Sequence, residues 1–469
     1  MPAPDNIYEN DVDFTTLALR YPEFAKRLKP NRQLDFSDPE SVRQLTKCLL
    51  HRDFDLTIDL PDDRLCPPVP SRFNYILFIQ RLLDSTSPDF HEGFDPKRQV
   101  IGLDIGTGSS AIYPLLATRQ RPQWRFLFTE IDEKNTEYAQ KNISANKLQS
   151  RIRQLDTDAS GEKLIPTDQL ERFERVDILL TNPPFYSSPS ELLGSAKQKA
   201  RPPNSSCTGA EVEMITPGGE VAFVSKLITE SSQAGNRRKI QWFSAMLGKL
   251  SSVGSIVEKL RKEQCTNCAV TEFVQGQKTR RWCVAWSWEA LRPANEVARG
   301  VRGGSGVEKR WLPPLTEMEF EVESAGNEAV AEKVGQEIRK LEGVLWKYDE
   351  ANGFGMLMSR NGDVWSRKAR RRAKAEQEHP DTHPHAPRDT NIHASDREDT
   401  EMKDQESEDD DSEDEPEPAL VTRITIRSPS VVGSTISRKA TVYLRHLQGH
   451  DSVLFESFCG WLKRKVIPP

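Results

Sequence analysis

One segment, residues 176–186, constrains the fold more than any other part of this chain. It begins with a mainly apolar run, residues 176–180, and continues into Asn182-Pro183-Pro184-Phe185. Such a run predicts a buried parallel strand, and the two prolines prevent the strand from continuing. Asn182 is therefore expected at the carboxyl end of a strand, where open α/β sheets bind their ligands.

The residue types at this strand end suit a planar group that carries an exocyclic NH2. Asn182 offers a side-chain amide oxygen, Pro183 offers a main-chain carbonyl, and Phe185 offers an aromatic face. Both oxygens can accept hydrogen bonds from an amine, while the ring can stack on the group that bears it. The alternative is a Pro-Pro turn after a strand, with Phe185 in the core.

A glycine loop follows a second predicted strand. Residues 100–105 form a short apolar segment, and Gly106-Thr107-Gly108 lies directly before a helical pattern. Glycines allow the backbone to approach a ligand closely, and a helix N-terminus offers unpaired N–H groups. The loop departs from the dinucleotide fingerprint, because Ala111 occupies its last glycine position, and it lacks the Gly-Lys-Ser/Thr of a P-loop.

An acidic residue follows the next predicted strand, residues 124–128. Glu130 lies about 20 positions after the glycine loop, where a carboxylate can accept hydrogen bonds from ribose hydroxyls. Asp132 is the second candidate, and the alternative for both is a carboxylate at a helix N-terminus. A glycine loop, an acidic strand end and Asn-Pro-Pro-Phe, in this order, predict a nucleoside-cofactor pocket beside an amine-binding pocket.

These motifs resemble those of class I S-adenosylmethionine-dependent amino-group methyltransferases. Further segments resemble one family in particular, methyltransferase-like 16, whose members are eukaryotic adenine-N6 methyltransferases that act on U6 small nuclear RNA. The segments that carry this resemblance are residues 21–24, 34–40, 69–76, 217–220, 242–249 and 271–276. The similarity covers roughly residues 15–290.

The resemblance implies a role for each matching residue. S-adenosylmethionine would be the cofactor, with Arg72 at its carboxylate, Glu130 at its ribose, and the remaining contacts from Asp104, Gly106, Thr107, Gly108, Ser110 and Asn182. The Asn182 amide and the Pro183 carbonyl would hold the adenine N6 amine within the catalytic set Asn182, Pro183, Pro184 and Phe185. Phe185 would stack on the base, and Tyr186 would lie beside it.

Composition bounds the class of protein. The 469 residues exceed one core of ordinary size, so two ordered domains with linkers are expected. The net charge of −6 is dominated by an acidic run around residues 406–417, so it does not argue against a nucleic-acid partner. Seven cysteines, an odd number, suit a reducing compartment. Cys265 and Cys268 form a single C-x-x-C, whereas a zinc site needs four ligands, so no metal is expected. The chain shows neither a membrane span nor a signal peptide, and a soluble intracellular protein is expected.

The pattern along the chain predicts five segments. Residues 1–90 read as a helical N-terminal extension, and residues 91–290 as an α/β methyltransferase domain with a seven-stranded, Rossmann-like sheet that ends in an antiparallel hairpin. Residues 291–310 contain several glycines and are expected to form a flexible linker. Residues 311–367 and 420–469 would form a small split α/β domain, in which 328–349 reads as helix and 364–367 as strand. Residues 368–419, basic and then acidic, would be a disordered insert.

Basic clusters mark candidate RNA contacts. We expect three clusters around one pocket mouth, namely Lys197, Lys199 and Arg201, then Arg237, Arg238 and Lys239, and lastly Lys278, Arg280 and Arg281. Tyr186 would add a further contact, and the alternative for each cluster is scattered solvated charge. The basic run at residues 367–374 suits a nuclear localisation signal or an RNA clamp.

The sequence therefore predicts an RNA adenine-N6 methyltransferase that uses S-adenosylmethionine, with U6 small nuclear RNA as substrate by resemblance. Two alternatives stay open, a protein glutamine-N5 methyltransferase and a catalytically inactive RNA-binding scaffold. We expect a monomer in the nucleus, with the cytoplasm as a second location.

Overall fold

The computed structural model describes residues 6–158, 160–198, 209–275, 279–323, 326–378, 417–427 and 439–467. The chain divides into two compact units, residues 1–317 and residues 318–469. The boundary lies beyond the predicted methyltransferase domain, because residues 291–317 belong to the first unit.

The first unit is built on an eight-stranded sheet. Its strands are β1 (Val100–Ile105), β2 (Trp124–Thr129), β3 (Ile152–Gln154), β4 (Val176–Thr181), β5 (Ile240–Leu247), β6 (Asn267–Gln275), β7 (Thr279–Ser287) and β8 (Arg299–Gly300). They lie in the order β3-β2-β1-β4-β5-β7-β6-β8. Strands β1 to β5 are parallel, and β7 runs antiparallel to both of its neighbours. This is the class I methyltransferase sheet, and the prediction of a doubly wound fold with a closing hairpin is confirmed.

Helices cover both faces of this sheet. They are α1 (Phe14–Arg20), α2 (Pro22–Ala25), α3 (Pro39–Phe54), α4 (Val69–Ser85), α5 (Ile112–Gln120), α6 (Glu133–Ala145), α7 (Thr167–Leu170), α8 (Pro189–Gln198), α9 (Glu211–Met214), α10 (Gly219–Ser231), α11 (Ala234–Lys239), α12 (Leu250–Lys262) and α13 (Asn295–Ala298), with a 3-10 turn at Lys309–Trp311. One hydrophobic core contains residues of α3, α4 and α5, and the other contains residues of α10 and α12. Every residue of β4 is consequently buried, which explains its largely apolar sequence.

Parallel pairing brings four strand ends to one edge of the sheet. Ile105, the last residue of β1, is in register with Thr129 of β2 and with Thr181 of β4. Thr181 is in turn in register with Ala245 of β5. The segments that follow these four strands therefore emerge side by side, and they include the glycine loop, Glu130 and Asn182.

The prediction of a flexible linker at residues 291–310 is wrong, and the predicted seven-stranded sheet gains an eighth strand there. Arg299–Gly300 forms β8, which pairs in parallel with β6. The Thr271 side chain lies so close that a Cβ on Gly300 would be 2.4 Å from its Oγ1 atom. A Cβ on Gly254 of α12 would likewise be 2.5 Å from the Trp311 ring. Glycine here permits close packing, whereas a glycine-rich sequence alone indicates flexibility.

The second unit has a five-stranded sheet. Its elements are β9 (Glu317–Glu323), α14 (Asn327–Ile338), β10 (Val344–Asp349), β11 (Phe354–Ser359), α15 (Arg367–Glu378), β12 (Leu420–Arg427), β13 (Lys439–Gln448) and α16 (Ser452–Val466). The strand order is β10-β11-β12-β13-β9, with antiparallel pairing from β10 to β13. Helices α14 and α16 supply side chains to its core.

Three predictions for the second unit need correction. The helix predicted over residues 328–349 ends at Ile338, and β10 follows Gly343, whose φ of 74° is a left-handed conformation that favours glycine. The described residues contain no strand at 364–367: Trp365 lies in a loop and packs against Phe458 of α16, with ring centroids 5.1 Å apart, and α15 begins at Arg367. Residues 367–378 form α15, so the disordered insert does not begin at residue 368, and residues 379–416 lie outside the described residues.

Candidate active site

The glycine loop turns sharply away from β1. Gly106 and Gly108 have φ values of 71° and 66°, which side chains other than glycine rarely adopt. The backbone amides of Gly106 and Thr107 donate to the Thr129 carbonyl oxygen of β2, at 3.0 and 3.1 Å. Apart from its chain neighbours, no atom of the described residues lies within 4 Å of the position that a Cβ would occupy on Gly106. The loop is therefore fixed by β2 while its Gly106 face has room for a ligand.

Glu130 is held in place entirely by backbone amides. Its Oε2 atom accepts from Gly108 N at 2.7 Å, and its Oε1 atom accepts from Ile131 N and Asp132 N, both at 3.0 Å. The side chain is 8% exposed. Burial raises the pKa of Glu130, and the nearby Glu213 carboxylate adds to the rise. The carboxylate thus lies against the glycine loop.

Asp104, near the end of β1, is completely buried. Its Oδ2 atom accepts from the Thr107 hydroxyl at 2.7 Å, and its Oδ1 atom has no hydrogen-bond partner within the described residues. Burial raises the pKa of Asp104 to about 7, and the Glu130 charge contributes to the rise. A buried oxygen without a partner costs free energy, and such atoms mark positions where a ligand can donate.

The end of β4 presents Asn182 and its following residues. The Asn182 Oδ1 atom is hidden from solvent and has no hydrogen-bond partner among the described residues. Pro183 is buried, and Phe185 and Tyr186 are partly exposed. The Asn182 amide oxygen is therefore an acceptor that the protein itself leaves unused.

Other segments hold Phe185 and Tyr186 in place. The Tyr186 amide donates to the Met214 carbonyl oxygen at 3.0 Å, and its carbonyl accepts from Thr216 N at 2.9 Å. A Cβ on Gly248, which follows β5, would lie 3.1 Å from Phe185 Cδ1. Phe185 therefore packs against the turn that follows β5. Hydrogen bonds of the next residue, Tyr186, attach the Asn-Pro-Pro-Phe segment to residues 214–216.

Glu220 fixes the turn at Gly248. This carboxylate is 2% exposed and accepts from Gly248 N at 2.7 Å, Lys249 N at 3.1 Å and the Ser252 hydroxyl at 2.6 Å. Sequence reasoning gave no role to Glu220 or Gly248, although both lie in segments that carry the family resemblance. No local sequence pattern links the two residues, because they are 28 positions apart.

Two arginines lie close to the site. Arg72 is 5% exposed, and its guanidinium lies 3.0 Å from the Met246 sulfur and 5.8 Å from the centre of the Tyr113 ring. The Arg281 guanidinium lies 5.6 Å from the centre of the Phe185 ring. Burial lowers the pKa of Arg281, and the neighbouring Arg72 charge lowers it further. Within the described residues neither the buried Arg72 nor the partly exposed Arg281 forms an ion pair, and such cations suit anionic groups of ligands.

Several predicted site residues take other positions. Asp132 is the N-cap of α6, where it accepts from Asn135 N at 3.0 Å, and it pairs with Arg64 at 2.9 Å. These contacts favour the helix-capping alternative over a ribose contact. Thr107 and Ser110 are buried in the glycine loop segment, as expected for a pocket lining.

The cluster Arg237, Arg238 and Lys239 does not lie at the site. These residues end α11, directly before Ile240, the first residue of β5. Because β5 is parallel to β4, its amino end lies at the opposite edge of the sheet from Asn182. The prediction of three clusters around one pocket mouth is therefore wrong for this cluster.

The remaining basic candidates give a mixed result. Arg280 pairs with Glu272 at 3.0 Å, so its charge is partly neutralised. Lys199, Arg201 and Lys278 lie outside the described residues, and so does the side chain of Lys197. Arg281 alone among the described basic candidates contacts the Asn-Pro-Pro-Phe segment.

Cys265 and Cys268 are buried free thiols in the described structure. Burial raises their pKa values to about 12 and about 11. Across the described ranges, no group of three His, Cys, Asp or Glu side chains is arranged to hold a metal ion. The part of the chain that the structure describes also contains no helix with the length and apolar character needed to cross a membrane.

Comparison with known proteins gives one consistent family. Residues 3–290 match a family described as RNA methyltransferase. The U6 small nuclear RNA (adenine-(43)-N(6))-methyltransferase of Schizosaccharomyces pombe is 36% identical over 358 residues, which cover 75% of this chain and 85% of that protein. The human RNA N(6)-adenosine-methyltransferase METTL16 is 38% identical over 296 residues, which cover 61% of this chain and 50% of that protein. The chain thus spans about half the length of this human relative.

A solved structure agrees with these relatives. The hMettl16 catalytic domain in complex with MAT2A 3′UTR hairpin 1 has a TM-score of 0.53 and 36% identity, and the match covers 60% of this chain and 94% of that domain. The fold, the glycine loop and the Asn-Pro-Pro-Phe segment thus occur together in a chain whose relatives are RNA methyltransferases. The chain belongs to this RNA methyltransferase family.

Proposed function

We propose that this protein transfers a methyl group from S-adenosylmethionine to the N6 amine of an adenine in RNA, with U6 small nuclear RNA as its substrate. One observation carries the proposal. The Asn182 amide oxygen is buried, without a partner among the described residues, at the strand edge that also holds the glycine loop and Glu130. The relatives named above, which act on adenine N6, support the choice of base.

The residues around the glycine loop fit S-adenosylmethionine. The Gly106 face is open, and the unpartnered Asp104 oxygen offers a buried acceptor. Glu130 would hold the ribose, and Arg72 would hold the cofactor carboxylate, since a guanidinium matches the two oxygens of a carboxylate. When bound, S-adenosylmethionine supplies an electrophilic methyl group on a sulfonium.

Asn182 and Pro183 would prepare the adenine amine for attack. The lone pair of an aromatic amine is conjugated with its ring, which makes the amine a weak nucleophile. Two acceptors directed at its hydrogens favour a pyramidal nitrogen, whose lone pair is free to attack. The protein thus supplies positioning and electrostatics, and the reaction needs no strong general base.

Phe185 would stack on the adenine, and Arg281 would contact the adjacent RNA phosphates. A base can reach this segment only after it leaves its stack, so an unpaired or flipped adenine is the expected substrate. The Arg281 guanidinium lies beside the Phe185 ring, and it would therefore be near the phosphates of a base stacked on that ring. The contact with RNA would therefore be strongest around the flipped nucleotide.

The second unit would add RNA affinity. Arg427 is exposed at the end of β12, and its guanidinium lies 4.4 Å from the centre of the Tyr443 ring. Arg423 lies on the same face of the sheet, 4.6 Å from the centre of the Phe354 ring, and is buried. Basic and aromatic side chains on one sheet face are typical of RNA-binding surfaces. The nucleus, as the place where this protein acts, is likewise proposed, on the basic run that begins α15.

A labelling experiment tests the proposed function. The full chain and its Asn182→Ala variant are incubated with methyl-labelled S-adenosylmethionine and either U6 small nuclear RNA or total cellular protein. We expect label on adenine N6 of the RNA, and a loss of about 1000-fold in the variant, the magnitude typical of removing a group that acts in the transition state. Label on protein glutamine would instead support a glutamine-N5 methyltransferase, and RNA binding without label would support a scaffold.

A truncation tests the role of the second unit. Deleting residues 318–469 removes one compact unit at its boundary and keeps β8 and Trp311 on the first unit. We expect weaker binding of U6 small nuclear RNA and unchanged binding of S-adenosylhomocysteine. Equal RNA affinity in both chains would contradict an RNA-binding role for the second unit.

A further inference from the structure

Glu213 is the second carboxylate beside the glycine loop, and neither the sequence motifs nor the mechanism above uses it. It lies on α9, a four-residue helix far along the chain from the loop. Its Oε1 atom is 3.9 Å from the position that a Cβ would occupy on Gly108. Gly108 is also the residue whose amide donates to Glu130. Two carboxylates from separate elements therefore flank one glycine of the loop.

The protein holds Glu213 in this position from its other oxygen. The Oε2 atom accepts from Leu65 N at 2.8 Å and from Ala210 N at 2.9 Å. The Asn135 side chain also hydrogen-bonds to this carboxylate, the Arg64 charge lies near it, and Oε1 is the oxygen nearest to Gly108. Oε2 of Glu213 therefore accepts hydrogen bonds from the backbone, whereas Oε1 is directed at Gly108.

Two neighbouring carboxylates repel each other unless a donor lies between them. Burial raises the pKa of Glu213, and the Glu213 charge in turn contributes to the raised pKa of Glu130. Two buried oxygens on either side of the loop, Asp104 Oδ1 and Ser109 Oγ, have no partner in the described residues. A ligand that donates several hydrogen bonds would relieve both conditions.

A ribose has two adjacent hydroxyl groups, each able to donate one hydrogen bond. Glu130 follows the strand after the glycine loop, the position at which a carboxylate accepts from ribose hydroxyls. Because Glu213 flanks the same glycine, it can reach the same sugar. We propose that Glu213 is a second ribose ligand, so that Glu130 and Glu213 each accept a hydrogen bond from one hydroxyl of the bound cofactor.

This assignment would also link cofactor binding to the amine pocket. Met214, the residue after Glu213, accepts a hydrogen bond from the Tyr186 amide, and Thr216 donates to the Tyr186 carbonyl. A ribose that holds Glu213 would therefore help to fix the segment that pins Tyr186 and Phe185. The proposal rests on the proposed cofactor and extends it to a residue outside the strand-end motifs.

Glu213→Gln separates a binding role from a structural one. The glutamine oxygen can keep the contacts with Leu65 and Ala210, while its NH2 group replaces the oxygen that faces Gly108. The matched control is Glu211→Gln, which removes the same charge from an exposed position on the same helix. Binding of S-adenosylhomocysteine, and of its 2′-deoxy and 3′-deoxy analogues, is measured by titration calorimetry on the full chain.

We expect Glu213→Gln to bind S-adenosylhomocysteine about tenfold more weakly, as for one lost hydrogen bond to a charged group, with Glu211→Gln within about twofold of the wild type. Wild-type affinity should fall for both deoxy analogues. Glu213→Gln should bind one of the two deoxy analogues, the one without the hydroxyl that Glu213 contacts, as tightly as S-adenosylhomocysteine. Glu130→Ala should show the same equality for the other deoxy analogue.

Other outcomes are equally informative. If Glu213 has a structural role alone, its variants will bind all three ligands more weakly by the same factor. Affinity ratios among the three ligands that are the same in the wild type, Glu213→Gln and Glu213→Ala would therefore overturn the assignment. A wild-type chain that binds none of the three ligands would instead contradict the proposed cofactor itself. Failure of the inference and failure of the proposed function are thereby distinguished.

Discussion

At the end of β2, Glu130 accepts hydrogen bonds from three backbone amides, whereas at the end of β4 the Asn182 amide oxygen, also hidden from solvent, accepts none from the described residues. The first side chain is part of the framework that shapes the glycine loop. The second contributes nothing visible to the framework. The comparison indicates that Glu130 is built into the fold, whereas the Asn182 oxygen is kept available for a substrate at a cost in free energy.

The largest expected effect is on stability, and it separates the two sides directly. Glu130→Ala leaves the amides of Gly108, Ile131 and Asp132 without their acceptor, so we expect a loss of about 3 kcal/mol in unfolding free energy. Asn182→Ala removes a buried oxygen that has no partner among the described residues, so it should leave the unfolding free energy unchanged or raise it by up to about 1 kcal/mol. Urea denaturation of the two variants measures both values, and equal losses would break the comparison.

Asp104 gives the next effect, because it combines a framework contact with an unused oxygen. Its pKa is raised to about 7 in the folded state, so between about pH 4 and pH 7 the folded chain binds more protons than the unfolded chain. This contribution to stability is therefore largest below pH 4 and is lost as the pH rises toward 7. For one proton the slope is at most about 1.4 kcal/mol per pH unit.

Asp104→Asn should remove this dependence. We expect the stability of the variant relative to the wild type to increase by about 2 kcal/mol between pH 5 and pH 7, since the amide does not ionise. Denaturation of both proteins at several pH values measures this difference in stability. The pH-dependent contributions of Glu130 and Glu213, whose pKa values are also raised, occur in both proteins and cancel in the difference. A difference that is constant with pH would mean that Asp104 titrates normally.

A smaller effect, on the rate of methyl transfer, is expected from a substitution on the amine side of the site. A Cβ on Gly248 would lie 3.1 Å from Phe185 Cδ1 and 3.3 Å from Glu220 Oε2, so Gly248→Ala would displace the ring by a few tenths of an ångström. We expect methyl transfer to fall by about tenfold, because a small misplacement of the base lowers the rate. Affinity for S-adenosylhomocysteine should stay the same, and weaker cofactor binding would show that the two sides are not independent.

The same comparison explains which parts of the site could be predicted from sequence. Gly106, Gly108, Glu130 and Asn182 each lie within a few residues of a strand end, so a strand pattern and the local residue types suffice to place them. Sequence reasoning missed Glu213, Glu220 and Gly248, because they reach the site through contacts with distant residues. Those contacts depend on tertiary packing that no local pattern encodes.

The errors in the fold have a similar origin. The glycines between residues 300 and 306 suggested a linker, yet Gly300 allows β8 to approach Thr271. The helix predicted through residue 349 ended early, since Gly343 adopts a left-handed conformation before β10. In both cases a glycine was present in the sequence, and only its surroundings show whether it serves flexibility, close packing or a turn.

The smallest effect concerns the edge of the sheet opposite both halves of the site. Arg238 is exposed on α11, at the amino end of β5, while Arg281 lies beside Phe185. If RNA is bound at the carboxyl ends of the strands, Arg238→Ala should change the affinity for U6 small nuclear RNA by less than about twofold. Arg281→Ala should reduce the slope of log affinity against log salt by about 1, the value for one lost phosphate contact.

Titrations of both variants at several salt concentrations measure these slopes. A loss in Arg238→Ala that matches the loss in Arg281→Ala would mean that the RNA extends around the sheet to its opposite edge, and the contrast between the two edges would no longer hold.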